Sequence, residues 1–515
     1  MRSTAAVAVL ATATVLVAGC GGSSSGGSSS GRIVDGGTFT MALSTDPGNL
    51  DPLSSAGTAL FEISQLAYDR LLSVDPKSGK ILPALASKWE AAGTSVSLTL
   101  KPGVTCSDGS PLTATDVADN LTYVGDPKNK SPFLGVFYPA GATAKADDQT
   151  GTVTLKLSAG SPFVLNGLAN LPIVCRSGLQ DRKSLAATSA GTGPYELTQA
   201  VPGSQYTYRI REGYTWGPDG ASTAVAGMPD TIVMKIVQNP GTAANLLLSG
   251  GLNASVVSGP DTKRLDAAKL FSASTPGLSG EQWYNHGQGH RTADPAVRKA
   301  LTQALNLTQL AQVLTAGNGG PATSLAVSQP AACPGNSVTG KLPAYDPAAA
   351  KTAFAAAGIT QLSFVYDNSG GTAVAAAAEL AVQQWKAAGI DVKAKGQSGT
   401  AVQQTIFGSG DWDIAWVPLN VSAPDQLVPF LSGPAAPEGT NFAGISNADY
   451  EAGAAAAAKL DGSDSCPAWL TAESALMSAA DIVPFAVEQT KTYGAGAEFA
   501  TPGQLVPTSI RMLAK

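Results

Sequence analysis

Hydrophobic and polar residues alternate in several short stretches of this chain. Over residues 37–43, Phe39, Met41 and Leu43 share one side and Thr38, Thr40 and Ala42 the other, which predicts a half-buried strand. Val96, Leu98 and Leu100 alternate with Ser97 and Thr99 in the same way, and Val153, Leu155 and Leu157 with Thr154 and Lys156. Tyr206, Tyr208 and Ile210 make another such strand. Residues 45–52 carry turn chemistry, and a helix is expected over residues 58–72. Thr113-Ala114-Thr115-Asp116 reads as a capping box opening a helix through Leu121.

The second half turns to helical periodicity. Asp294-Pro295 supplies an N-cap and an N1 proline, Val297, Leu301 and Leu305 form one stripe, and Gly317 is the expected stop. Asp346-Pro347 repeats the opening device, with Gly358 as its stop. Residues 372–388 form an Ala-rich helix closing on Gly389, followed by the strand Ile390-Asp391-Val392. Helix, glycine, strand is the order of an α/β domain. Residues 452–458, Ala-rich with Gly453, read as a surface helix.

The first thirty-one residues follow another pattern. Arg2 precedes a short apolar run over residues 5–18 that ends in Val17-Ala18-Gly19-Cys20. A charged start, a run too short to span a bilayer and a close on small residues predict a signal peptide over residues 1–19. The ending resembles the bacterial lipobox, which implies cleavage before Cys20 and lipid on that cysteine. The alternative is an ordinary secretory peptide. Residues 21–31 are only Gly and Ser, a flexible tether spanning roughly 18 Å. The mature chain is therefore expected outside the cytoplasmic membrane, held by lipid alone.

Composition narrows the function classes. Hydrophobic residues make up 44% and charged residues only 14%, with a net charge of −6 spread without long runs. That excludes a nucleic-acid partner, which needs a basic face. Beyond the tether the chain is too long for one small core and predicts two or three domains in one body. Four cysteines remain, Cys106, Cys175, Cys333 and Cys466, none in a C-x-x-C pair. In an exported chain an even set favours disulfides over metal. Three pairings are open, and Cys106–Cys175 with Cys333–Cys466 is favoured because each closes within one half of the chain. Four buried free thiols are the alternative.

Other signals carry little. His286 and His290 have helical metal spacing, but Gly287 and Gly289 break the helix, so a solvated loop pair is expected rather than a metal site. Gly22-Ser23-Ser24-Ser25-Gly26 lies in the tether and is no hydrolase elbow. Residues 335–341 fit G-x-x-x-x-G-K, but Leu342 and Pro343 follow where a phosphate loop needs a hydroxyl and a helix. Tyr214 and Trp216 read as packing or rim residues.

Taken in order, a set of blocks resembles the family 5 extracellular solute-binding proteins of bacterial ABC importers. They are residues 82–86 with Trp89, 98–104 and 107–117, then Gly191-Thr192-Gly193-Pro194-Tyr195, residues 294–301, Tyr345-Asp346-Pro347 with Ala356-Ala357-Gly358, and residues 389–392. The resemblance implies an α/β, two-lobed, periplasmic-binding-protein-like fold with the ligand cleft between lobes. The first lobe would run over residues 32–282, with an inserted subdomain near 75–190. The second would cover residues 283–484, with residues 485–515 returning to the first. It further implies capture of a peptide or peptide-like solute, permease subunits as partners, a monomer, no cofactor and no enzymatic step. The remaining readings are an envelope sensor or scaffold, or a binder of an oligosaccharide, glycolipid or siderophore. No nucleophile–base pair can be assembled for a hydrolase.

Ligand contacts are implied at Ser55, Gly57 and Thr58 and along residues 415–425. In the peptide-binding relatives a Gly-Trp segment is soon followed by an Asp that pairs with the peptide ammonium. Here that slot falls on Leu419. Burying an ammonium there without a counter-charge costs several kcal/mol. Asp425 substitutes only if the loop is shifted. Trp416 and Asn420 offer stacking and neutral hydrogen bonds.

Overall fold

The computed structural model describes residues 31–514 other than 56, 260, 369, 370 and 398. The signal peptide and Cys20 lie outside the described residues. One large mixed sheet carries the molecule. In chain order its main strands are β1 (Thr38–Leu43), β2 (Tyr195–Val201), β3 (Gln205–Ile210), β4 (Thr231–Ile236), β5 (Ala254–Val257), β6 (Phe271–Tyr284), β7 (Gln361–Asp367), β8 (Asp391–Gln397), β9 (Ile414–Trp416) and β10 (Ile482–Gly494). Their spatial order is β8-β7-β9-β6-β10-β5-β1-β4-β3-β2, with Gly319–Gly320 beside β10. Two lobes sit at the two ends of this sheet.

At the β1 end, Phe39, Met41 and Leu43 are buried as their alternation requires. They share a core with Leu60, Ile63 and Leu66 of the Thr58–Ala67 helix. A separate four-stranded antiparallel sheet is inserted here, in the order Ala86–Ala92, Ser95–Leu100, Thr152–Lys156, Thr143–Asp147. Val96, Leu98, Val153 and Leu155 turn one face of it into the same core, against Val117 and Leu121 of the Ala114–Gly125 helix. Thr113 and Asp116 form the expected capping box at that helix's start.

At the β8 end, both faces of the sheet are covered. Tyr284, Leu301, Phe364, Trp385 and Trp416 form the core on one face. Trp283, Trp412, Tyr450, Trp469 and Leu476 form it on the other. Consecutive residues Trp283 and Tyr284 thus enter opposite cores, as period-two geometry demands of a strand buried on both sides. The Ala-rich run forms the Ala448–Ala457 helix, and Gly453 lets it press against Ala472 of the Cys466–Ala479 helix, where a Cβ would stand 2.8 Å away. Both favoured disulfides are present, Cys106–Cys175 and Cys333–Cys466.

Three local expectations are corrected. The first helix stops at Ala67 rather than at residue 72. Tyr68 is extended, and the chain continues into the short strand Leu72–Val74. Gly191 and Gly193 pack against the backbone at that stop, and a Cβ on Gly193 would stand 2.7 Å from the Leu66 carbonyl. The segment opened by Asp294 is two helices, Pro295–Gln303 and Leu307–Leu314. Ala304 closes the first, and Asn306 caps the second, its side chain accepting from Gln309 N while its own amide N–H goes to Gln384 Oε1. The histidines are not a solvated pair. The His286 side chain is 10% exposed, 4.0 Å from Asp481. Burial, then the Arg298 charge, pulls its pKa down to about 3. His290 Nδ1 meets Asp413 Oδ1 at 3.0 Å.

Candidate functional site: the cleft between the lobes

The lobes are linked by two crossings that form a single antiparallel ladder. β6 pairs with β10 from Phe271↔Gly494 to Trp283↔Ile482. One end of the ladder continues into the first lobe through β5, at Ala254↔Gly494, and the other into the second through β9, at Gln282↔Trp416. The register breaks on both sides of Gly280. Gly280 lies under Phe485, where a Cβ would stand 2.5 Å from the ring. A bulged two-stranded crossing bends more easily than the packed layers on either side of it.

Glu281 follows the bulge and is fully buried. Its Oε2 accepts the Leu419 amide at 2.7 Å and the Trp283 indole N–H at 3.2 Å. Its Oε1 is buried without a partner. Burial pushes the carboxyl up to about 8, and the buried Glu473 carboxylate adds to the shift. The carboxyl is therefore mostly protonated at neutral pH. Nothing in the sequence patterning singles out Glu281 beyond its place as a lone acid between Gly280 and the apolar Trp283-Tyr284.

The end of β9 and the segment after it hold three of the expected contacts, Trp416, Asn420 and Asp425, and the structure treats them differently. Trp416 is 3% exposed, packs between Phe364 and Phe485, and gives its indole N–H to Gln282 Oε1. It belongs to the core and leaves no ring face for a ligand, a correction to its expected stacking role. Asn420 is exposed, but both ends of its amide are engaged. Oδ1 accepts from Leu278 N at 2.7 Å, and Nδ2 donates to Leu278 O at 3.1 Å. It pins the loop to β6. Ser55, Gly57 and Thr58 are exposed together at the start of the Thr58–Ala67 helix, with Ser55 Oγ accepting from Gly57 N.

Asp425 faces the other lobe. Its Oδ2 accepts from Ser161 Oγ of the inserted subdomain at 3.3 Å. Next to it, Phe163 is 4% exposed and belongs to the same core as Trp283, Leu427 and Tyr450. A Cβ on Gly160 would collide with the Ala458 carbonyl, and one on Gly135 would meet Pro429 at 3.3 Å. The lobes therefore touch away from the ladder, with Phe163 inserted across the seam. Burial pushes the Asp425 carboxyl up to about 6.

This is the geometry of a hinged two-lobe binder. Residues 80–436 match the profile of the bacterial extracellular solute-binding proteins, family 5 (Middle). The chain belongs to this family. Protein XP55 of Streptomyces lividans is 28% identical over 327 residues, which are 60% of this chain and 57% of that protein. The glutathione-binding protein GsiB of Pectobacterium atrosepticum is 28% identical over 299 residues, 56% of this chain and 54% of its own. The chain thus matches little more than half the length of these curated relatives. A substrate-binding protein of Microbacterium hydrocarbonoxydans, solved with 4-hydroxybenzoate hydrazide, superposes with a TM-score of 0.79 at 26% identity, over 92% of this chain and 99% of that one. The two-lobed fold of family 5 accounts for the separate cores at the two ends of the sheet and for the paired crossings. Among the described residues no helix is long and apolar enough to cross a membrane.

Proposed function

We propose that this family 5 protein captures a peptide-like solute between its lobes and delivers it to the permease of an ABC importer, acting as a monomer tethered through lipid on Cys20. The observation that carries the reading is the β6/β10 ladder. Two lobes that meet across a seam and are linked by one bulged strand pair can open and close as units, and a solute touching both stabilises the closed state. The glutathione-binding relative supports a peptide-like class. In this reading the lobes divide after residues 282 and 484, and Ser55, Gly57 and Thr58 line the first-lobe wall opposite the 417–422 loop of the second.

Removal of the gene should abolish uptake of the solute, and restoring it should restore uptake. Native mass spectrometry of protein taken from its own envelope identifies that solute. Small-angle scattering should then show a smaller radius of gyration with it than without it. Normal uptake in the deletion strain would reject the transport role. In fractionation, Cys20→Ser should move a folded protein from the membrane to the soluble pool, and membrane retention would reject the lipid anchor.

A further inference from the structure

Arg70 sits in a setting that its neighbours do not complete. It lies just beyond the Thr58–Ala67 helix. Its guanidinium stands 5.0 Å from the centre of the Phe61 ring. Nη1 donates to Gln65 Oε1, and Gln65 Nε2 in turn donates to Gln504 Oε1. The Nε–H is buried and has no hydrogen-bond partner. Among the described residues Arg70 forms no ion pair.

Two carboxyl groups are near, and both are engaged elsewhere. Glu62 Oε1 accepts the Leu505 amide at 3.1 Å. Asp69 accepts from Tyr214 at 2.8 Å, Thr192 at 3.0 Å and Trp216 at 3.1 Å. Burial pushes Glu62 up to about 7 and Asp69 up to about 6, so Asp69 is mostly ionised at neutral pH and Glu62 about half, but neither carboxylate meets the Arg70 fork and their charges reach it only at a distance. Arg70 is pulled down by burial only to about 10 and stays charged. A guanidinium whose buried Nε–H has no acceptor and whose fork no carboxylate meets is costly, and the group that best offsets that cost is a planar carboxylate able to meet the fork.

The place is the cleft. Phe61 packs at 6.0 Å on Phe137, which stacks at 5.3 Å on Phe133. Gly135, between those two phenylalanines, is the residue that approaches Pro429 of the second lobe. On the other side, Gly503, beside Gln504, faces the Gln329 carbonyl of the second lobe at 3.9 Å from its would-be Cβ. The guanidinium and the aromatic wall are thus bracketed by two approaches between the lobes.

We propose that Arg70, framed by Phe61 and Phe137 in the cleft, anchors a carboxylate that the solute carries beside an aromatic or bulky apolar group. The assignment rests on the solute-binding reading above. The ring wall takes the apolar part, and the Phe61 face keeps the guanidinium flat toward the cleft.

Calorimetry on the purified full chain with N-acetyl-phenylalanine and its neutral amide tests this. The acid should bind the wild type about tenfold or more tightly than the amide, as a charge-assisted fork contact requires. Arg70→Gln should bring the acid down to the level of the amide, and Arg70→Lys should keep part of the preference. Phe137→Ala should weaken both probes. Melting curves show whether each variant is folded, and the lysine variant decides the matter if the glutamine variant is not. Equal binding of acid and amide, no binding of either, or a preference that survives in folded Arg70→Gln overturns the assignment. A protein that still closes on its envelope solute after such a result keeps the solute-binding reading and loses only Arg70. One that closes on nothing loses both.

Discussion

The Leu419 amide donates to Glu281 Oε2 over 2.7 Å, although the two residues are 138 apart in the chain. That bond ties the cleft loop to the strand joining the lobes, at the point where the strand register breaks. The resemblance to peptide-binding family members implies an acid at the Leu419 position, and the chain carries leucine there. Here the acid comes from the crossing strand, is buried, and holds the loop by its backbone.

Glu281 makes stability depend on pH. Its carboxyl is raised from 4.5 to about 8 in the fold. A group raised in this way contributes stability that is full below its unfolded value and is lost as pH rises through the folded one, so the loss runs from about pH 4.5 to about pH 8. Glu281→Gln mimics the protonated form and keeps an acceptor for Leu419. Chemical denaturation should give the variant near wild-type stability at pH 5 and an advantage of about 2 kcal/mol or more at pH 8. Parallel curves at both pH values would show that the carboxyl does not titrate there.

Phe163 closes the seam. It is 4% exposed because it sits in the core of the other lobe. Truncating a buried phenylalanine costs about 3–5 kcal/mol, and here the loss falls on the closed state. Phe163→Ala should therefore weaken solute binding at least tenfold and raise the radius of gyration under solute, while circular dichroism stays that of a folded protein. Unchanged affinity would mean that the Phe163 contact does not depend on closure.

Each disulfide closes a long loop within its lobe. The separations are 69 and 133 residues, for which chain entropy in the unfolded state predicts about 4 and about 5 kcal/mol. Thiol titration of unfolded, unreduced protein should find almost no free thiol on these four cysteines. Cys333→Ala with Cys466→Ala should lower stability more than the Cys106 and Cys175 pair does, as read by urea midpoints.

Gly193 is held by sterics rather than by turn conformation. Its would-be Cβ lies 2.5–2.7 Å from backbone atoms of Leu66, Ala67 and Tyr68. Overpacking against backbone costs about 1–3 kcal/mol, so Gly193→Ala should lower the melting temperature by several degrees. A melting temperature equal to wild type would show that the crossing can shift at no cost.

Features set by neighbours in the chain were legible in the sequence. The alternation around Phe39 and Leu98, the capping box at Thr113, the Asp-Pro helix starts at Asp294 and Asp346 and the Gly358 stop all stand in the structure, because each depends on residues within a turn or a strand of one another. The break at Asn306 is also local, since its side chain accepts from Gln309 N three residues on, but the apolar stripe running through Leu305 masks it, and only the Asn306 amide's partner, Gln384, lies far along the chain. The cleft was less legible still. Whether Trp416 offers a ring to a solute depends on Phe364, Phe485 and Gln282 covering it. Whether Asn420 has a free amide depends on Leu278. Arg70 and Glu281 look like ordinary charges in the sequence, and only burial among distant elements gives them a distinct chemistry. Most local elements and the family could be read from the order of residues alone, because each rests on neighbours in the chain. Tertiary structure alone decided which polar groups face the cleft and at what charge, since burial and long-range partners set both.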